Sequence, residues 1–263
     1  MILLNKSMEK KNHVGCIIQA RMGSSRLPGK VLEKIFGDKT VLDCLIDQLS
    51  HSKLITNIVV ATSENKLDDP IEKLAQKKGT NCFRGSELDV LDRYYQCARI
   101  NSFPIIVRIP ADKPLIDPFF VDKIIEEFLK NDLDYISTFN PPSFPRGSEV
   151  EVFNFDSLEN AWKNASLPSE REHVTSYLYT SKKFRITNYS NEEDISDVRY
   201  AVDRYEDLVL VKKIFGKIKK NPILMKDILT LFKDEPSLLE INKNVDHDEG
   251  YKKSLNEDKM DKK

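Results

Sequence analysis

Through the first half of the chain, short apolar runs alternate with longer stretches in which apolar residues recur every three or four positions. Val14 to Ile18 is a run of the first kind, too short for a helix, and it predicts a buried strand. Thr40-Val41-Leu42-Asp43 resembles a capping box, and Leu42, Leu45, Ile46 and Leu49 follow at helical spacing. Asn57 to Ala61 reads as a second buried strand, ending in Thr62-Ser63. Asp69-Pro70 opens the next helix and Gly79 closes it, because proline suits a first helical turn and glycine the residue after the last. A short strand reaches Phe83. The polar turn Arg84-Gly85-Ser86 then leads into a helix carrying Val90, Leu91, Tyr94, Tyr95 and Ala98. Ile105 to Ile109 is again a buried strand, Asp117-Pro118 starts a helix that ends near Asn131, and Asp134 to Ser137 is extended. Strand and helix in alternation predict an α/β sandwich around a largely parallel sheet.

The second half is less regular. Glu149 to Asn154 alternates as an edge or antiparallel strand does. Ser169-Glu170-Arg171-Glu172 caps a helix, with Glu172 answering Ser169 in a capping box. Phe184 to Tyr189 and Val198 to Val202 read as strands, and Glu206 to Lys217 as a helix. From Lys219 onward charge rises and the apolar rhythm fades. The expectation is one domain over residues 13–218 and a charged C-terminal extension over 219–263, solvated and partly disordered from Asn244 to its end.

The first strand empties into the segment with the most chemistry. Between Gln19 and Val31 lie three cations (Arg21, Arg26, Lys30), two glycines (Gly23, Gly29), Ser24, Ser25 and Pro28. No acidic residue occurs between Lys10 and Leu32, in a chain otherwise rich in acids. Glycines let a backbone approach a ligand closely and point its N–H groups at phosphate oxygens. Arginine and lysine add charge to the same place. The loop therefore predicts a polyphosphate cradle at the carboxyl end of a strand, where α/β sheets bind ligands. It is neither of the common phosphate loops. Five residues separate Gly23 from Gly29, Val31 follows Lys30, and no G-x-G-x-x-G occurs.

Composition narrows the partners. The 263 residues carry a formal net charge of −1, which excludes a generally basic nucleic-acid binder; the positive charge that matters is local. Cys16, Cys44, Cys82 and Cys97 are scattered without C-x-x-C or a histidine at ligand spacing, so reduced thiols and a cytoplasmic location are expected. Met1 to Leu4 is too short for a signal-peptide core, and no apolar stretch approaches the ~20 residues of a membrane span.

A bound triphosphate calls for a divalent cation held by one or two carboxylates. Asp112 follows the strand Ile105–Ile109, with Lys113 beside it, and Asp203 follows the segment Val198–Val202. Both suit a magnesium site. Both also suit plain structural roles, Asp203 as a helix cap and Asp112 as a turn residue beside proline. Arg171-Glu172-His173 is a polar cluster at a helix start, and Arg146 stands in a turn before a strand, where it could meet an anionic acceptor.

The segments Ile17–Leu32 (IIQARMGSSRLPGKVL), Ala61–Pro70, Phe83–Tyr95 (FRGSELDVLDRYY), Arg108–Pro118, Glu149–Phe153, Arg171–Thr175 and Val202–Leu208, in order, resemble the spore-coat-polysaccharide type of cytidylyltransferase. That family is related to the synthetases of CMP-activated Kdo and sialic acids. The resemblance implies a Rossmann-like nucleotide-diphospho-sugar transferase fold and transfer of CMP from CTP to a sugar, sugar acid or other anionic small molecule. Carried over by position, Arg21, Gly23, Ser25, Arg26 and Lys30 would hold the triphosphate. Ala20, Ser63, Arg84, Gly85 and Ser86 would lie around the nucleoside, Asp112 and Asp203 would bind Mg2+, and Arg146, Glu151, Arg171, Glu172 and His173 would face the acceptor. A homodimer is compatible with this picture. Other base specificities, a fold-related glycosyltransferase using Asp132-Leu133-Asp134 or Asp246-His247-Asp248, and a non-catalytic nucleotide-binding paralogue stay open on the residues alone.

Overall fold

Strand β1 (Val14–Gln19) buries every side chain from Val14 to Ile18, so it must lie between two layers, and it does. The structure, a computed structural model, describes residues 13–245. After β1 comes a small hairpin of β2 (Lys34–Phe36) and β3 (Lys39–Thr40) outside the main sheet. Strands β4 (Asn57–Ser63) and β6 (Ile105–Pro110) flank β1, and β5 (Asn81–Gly85) extends the sheet beyond β4. These four strands are parallel. On the other side β8 (Glu151–Asn154) runs antiparallel between β6 and β7 (Tyr135–Ser137), and β9 (Ile186–Asn188) lies parallel to β7 at the edge. The seven-stranded order is β5-β4-β1-β6-β8-β7-β9. This is the expected mostly parallel α/β sandwich.

Helices α1 (Val41–Leu49), α2 (Asp69–Lys77) and α4 (Pro118–Lys130) cover one face with Leu42, Leu45, Ile71, Val121 and Ile124. The capping box that starts α1 is present: Asp43 N donates to Thr40 Oγ1 (3.1 Å) and Thr40 N to Asp43 Oδ2 (2.9 Å). The other face is covered by α3 (Val90–Ile100), α5 (Phe155–Asn164), α6 (Pro168–His173) and α7 (Ser176–Thr180). Cys16, Cys44 and Cys97 are buried free thiols and Cys82 is half-buried.

Of the two readings of 149–154 the antiparallel one holds: β8 lies inside the sheet, antiparallel to both neighbours, and its alternation includes a buried carboxylate at Glu151. Two local expectations change. Val198–Val202 is not a strand. Its backbone bonds go to two loops, with Val198 O accepting from Arg146 N (2.8 Å) and Val202 N donating to Asp112 O (2.8 Å), so no ladder forms beyond one bridge to Arg146. The start of α6 is closed by Glu170, which accepts from Leu167 N (3.1 Å) and Ser166 N (3.0 Å), leaving Glu172 outside the cap.

The chain also packs beyond Ile218. After α8 (Tyr205–Lys217), helix α9 (Met225–Asp234) buries Ile228 and Phe232 in one cluster with Val211 and Ile214 of α8. Leu231 packs against the same cluster, and Ile228, Leu231 and Phe232 fall at helical spacing that the surrounding lysines and aspartates hide in the sequence. Residues 246–263, most of the expected disordered tail, lie outside the described residues.

Candidate active site

The cationic loop leaves the sheet at Ala20, whose N–H bonds Ala61 O (3.2 Å) and whose side chain is buried in the core. It folds back on itself through Met22 O, which accepts from both Ser24 N and Gly29 N (2.9 Å each). Gly29 has φ +72°, a left-handed conformation that admits glycine without strain and lets the chain turn into Lys30. Gly23 and Ser25 are exposed, and their N–H groups take no protein partner among the described residues. A phosphate cradle needs such free donors.

One anchor was not legible in the sequence. Asp68 is buried, and one of its carboxylate oxygens accepts Met22 N (2.7 Å) from the loop. The other accepts Ser63 N (3.2 Å) and the Ser63 hydroxyl. Asp68 thus ties the loop to the carboxyl end of β4.

The loop's cations meet the two predicted carboxylates. Lys30 Nζ lies 3.1 Å from Asp112 Oδ2 and 2.7 Å from Asp203 Oδ1. An ammonium can touch both only if the carboxylates stand within about 6 Å of each other. Arg26 Nη2 adds a bond to Asp203 Oδ1 (2.8 Å), and Arg199 Nη2 takes Asp203 Oδ2 (2.7 Å). Burial opposes the charge on Asp203, but Lys30 and then Arg26 outweigh it and hold the carboxyl far below the usual range. Burial likewise opposes the charge on Lys30, and Asp112 and Asp203 overcome it and raise its pKa.

Arg199 is a second residue that sequence reasoning missed. Its Nε bonds buried Asp207 (3.0 Å), which in turn accepts the N–H groups of Asp203 and Arg204 (3.0 Å each) at the start of α8. The spacing Arg199, Asp203, Asp207 is helical, a signal hidden by the strand-like pattern of Val198–Val202.

Lys113, the sequence neighbour of Asp112, turns away and pairs with Glu149 Oε2 (3.0 Å) and Glu149 O (2.8 Å). Asp112 Oδ1 is buried and takes no hydrogen bond among the described residues. That orphaned acceptor, with Lys30 already in a cation's place between two carboxylates, fits a small hard cation. Among the described residues no three or more His, Cys, Asp or Glu side chains gather to hold a metal. The protein's offer is the pair Asp112 and Asp203.

The remaining predicted residues divide between the site and the scaffold. Arg84 spends its guanidinium on the scaffold: Nε on Ser63 O (2.9 Å), Nη1 on Asp69 (2.6 Å) and Glu72 (2.9 Å), and Nη2 on Asn65 O (2.8 Å). Gly85 is buried at the end of β5, and Ser86 Oγ accepts Asp89 N (3.0 Å) before α3. Arg171 binds Asp89 through Nε (2.9 Å) and Trp162 O through Nη1 (2.8 Å), docking α6 on α3. Arg21, exposed, and Glu172, half-buried, lie 3.7 Å apart and join the loop to α6.

Glu151 is buried and accepts from Arg108, from Tyr135 Oη (2.9 Å) and from Thr175 Oγ1 (2.5 Å). Between His173 and Thr175 the chain makes a γ-turn of the strained hand, with Val174 at φ +62° and Thr175 N donating to His173 O (2.6 Å). Arg146 is held by its backbone between Val198 O and Tyr200 N, at a turn where Gly147 has φ +109°. The Asp132 and Asp134 carboxylates both pair with Arg185 at the β9 edge; Asp246 and Asp248 lie outside the described residues.

A sequence profile of the cytidylyltransferase family matches residues 15–245. The chain belongs to the cytidylyltransferase family. Its relatives include the spore coat polysaccharide biosynthesis protein SpsF of Bacillus subtilis, 32% identical over 86% of this chain and 96% of that protein. Among solved structures, a cytidylyltransferase from Leptospira borgpetersenii superimposes with a TM-score of 0.84 at 36% identity, covering 89% of this chain and 99% of the other. A CMP-2-keto-3-deoxy-manno-octonic acid synthetase complexed with CTP gives 0.61 at 17% identity, over 78% and 99%, a likeness of fold alone. Within this cytidylyltransferase, no helix among the described residues is long and apolar enough to cross a membrane.

Proposed function

We propose that this cytidylyltransferase transfers CMP from CTP to a sugar acid or related anionic sugar, releasing pyrophosphate, in polysaccharide biosynthesis. The supporting observation is the convergence of Arg26, Lys30, Asp112 and Asp203 at one place beyond β1 and β6, in a chain of the cytidylyltransferase family. Transfer joins an acceptor hydroxyl oxygen to the α-phosphorus and breaks the bond from that phosphorus to the oxygen bridging the α- and β-phosphates. Pyrophosphate leaves with the bonding pair, and the hydroxyl proton passes to solvent. Such displacement asks mainly for positioning and charge neutralisation.

The loop supplies both. The exposed N–H groups of Gly23 and Ser25 face the phosphates, and Arg21, Arg26 and Lys30 stabilise the charge that gathers on departing pyrophosphate. Asp112 and Asp203 are the residues that would hold magnesium, which when bound neutralises phosphate charge and orients the triphosphate. Arg146 and His173 are assigned to the anionic acceptor. A guanidinium can clamp a carboxylate in two parallel bonds and fix the attacking oxygen in line. The buried free thiols suit the cytoplasm.

The test is pyrophosphate release from each of the four nucleoside triphosphates with magnesium, across a panel of sugar acids and neutral sugars. CTP with an acidic sugar is expected to give turnover. Release from another triphosphate in preference to CTP would overturn the base assignment, and preference for uncharged sugars would overturn the acceptor class.

A further inference from the structure

Arg93 lies in the first turn of α3, and its side chain runs back toward the helix start, as helical side chains do. It rests on Gly85 at the carboxyl end of β5, where an added Cβ would stand 3.2 Å from Arg93 Cγ and 2.9 Å from the Phe83 ring. Gly85 is in register with Ser63 of β4, and Ser63 is bonded to Asp68, the anchor of the loop at Met22. Arg93 is thus linked to the cationic loop through Gly85, Ser63 and Asp68.

The residue is completely buried, at 0% exposure, yet Nε, Nη1 and Nη2 all lack a hydrogen-bond partner among the described residues. The two other arginines of the interior do not share this state: Arg108 pairs with Glu151, and Arg199 with Asp203 and Asp207. A guanidinium keeps its proton in a protein, so a unit positive charge is held inside without a direct hydrogen-bond partner among the described residues. An unpaired buried charge destabilises a fold strongly. Burial lowers the Arg93 pKa; among the charges that reach it through space, Arg21 of the loop opposes its own and Asp68 and Glu87 favour it. In the interior such a field is weakly screened by solvent and salt.

We propose that Arg93 is the rear electrostatic wall of the polyphosphate cradle, a buried charge left without a hydrogen-bonded partner so that it attracts bound phosphates through the loop without touching them. The inference rests on the nucleotidyltransferase reading for the nature of the ligand. It makes Arg93 a positioning residue, with a consequence opposite to that of ordinary packing. Its removal stabilises the empty protein and weakens binding of the polyanion.

The experiment compares wild type with Arg93→Met, which keeps the aliphatic stem and removes the charge. Thermal unfolding is measured without ligand, and calorimetric binding with magnesium pyrophosphate, CTP and cytidine. Arg93→Met is expected to melt higher than wild type and to bind pyrophosphate and CTP on the order of 10-fold more weakly, with cytidine affinity unchanged. Equal pyrophosphate affinity in both proteins overturns the proposal. So does a lower melting temperature with all three ligands weakened together, the signature of a packing residue, and so does a loss of cytidine binding, which would mark a direct base contact. If Arg93→Met does not fold, Arg93→Gln carries the same comparison, and failure of both overturns the proposal. A wild type that binds pyrophosphate but rejects CTP breaks the base assignment and leaves this inference standing. A wild type that binds no pyrophosphate breaks both.

Discussion

Replacing Lys30 with methionine keeps the length of the side chain and removes the ammonium shared by Asp112 and Asp203. The Lys30 side chain is only 11% exposed, so water screens these contacts poorly. At ~3 Å and an effective dielectric constant of about 20, each pair is worth roughly 5 kcal/mol before desolvation. Asp203 retains Arg26 and Arg199, but Asp112 loses the only partner of its side chain among the described residues. The net destabilisation is then that of removing one partner from a buried pair, about 3–5 kcal/mol. For a chain of this size that lowers the melting temperature by on the order of 10 °C. Scanning calorimetry near pH 7.5 and low salt measures it. Because Lys30 stands where a cation fits, magnesium should stabilise Lys30→Met more than wild type. Turnover should fall on the order of 10² or more, with the preorganised charge gone. An unchanged melting temperature, or equal stabilisation of both proteins by magnesium, would refute the reasoning.

Asp112→Asn keeps shape but removes one carboxylate of the pair; metal-dependent turnover should vanish while the circular dichroism spectrum stays native, and retained turnover would rule out a metal role. Gly147→Ala forces a side chain into φ +109° with its Cβ 2.7 Å from Ala201 N, so it should destabilise the protein and weaken use of the acceptor through Arg146, read as a lower melting temperature and a raised acceptor KM. Asp134 has its carboxyl lowered from 3.8 to about 2, chiefly by hydrogen bonds from Arg185. Its contribution to stability is thus complete above the ordinary value and is lost as pH falls through 2. NMR titration of its carboxyl carbon should show that midpoint, and Arg185→Ala should return it toward 3.8.

What could be read from the chain, and what could not, follows the range of the forces involved. The strand and the acid-free loop after it are local: a short apolar run predicts β1, and Gly29 and Lys30 announce their tasks by residue type. The partners of the other cations are not local. Arg84 meets Asp69 and Glu72 across a strand connection, and Arg171 meets Asp89 across 82 positions, so sequence alone left both arginines available to a ligand. Lys113 and Asp112 are neighbours in sequence yet face different partners, because consecutive side chains at a strand end diverge. The segment Val198–Val202 has a strand's alternation, but alternation reports burial and not a hydrogen-bond partner. Here the partners are two loops. The strand reading also hid Arg199 from its helically spaced acids.

The single reversed strand has a consequence for how this catalyst can diversify. Parallel strands reach the site only with the residues that follow them, as Ala20 follows β1 and Asp112 follows β6. Strand β8 runs the other way, with Glu151 beside Arg108 and Asn154 beside Ile105, so the residues that precede it arrive at the same edge. The segments proposed to handle the nucleotide thus follow strands, and the turn carrying Arg146 precedes one. The two are separate stretches of gene, so, on the site assignments proposed above, a lineage can retune its acceptor by altering 144–150 while the loop at 20–30 stays fixed.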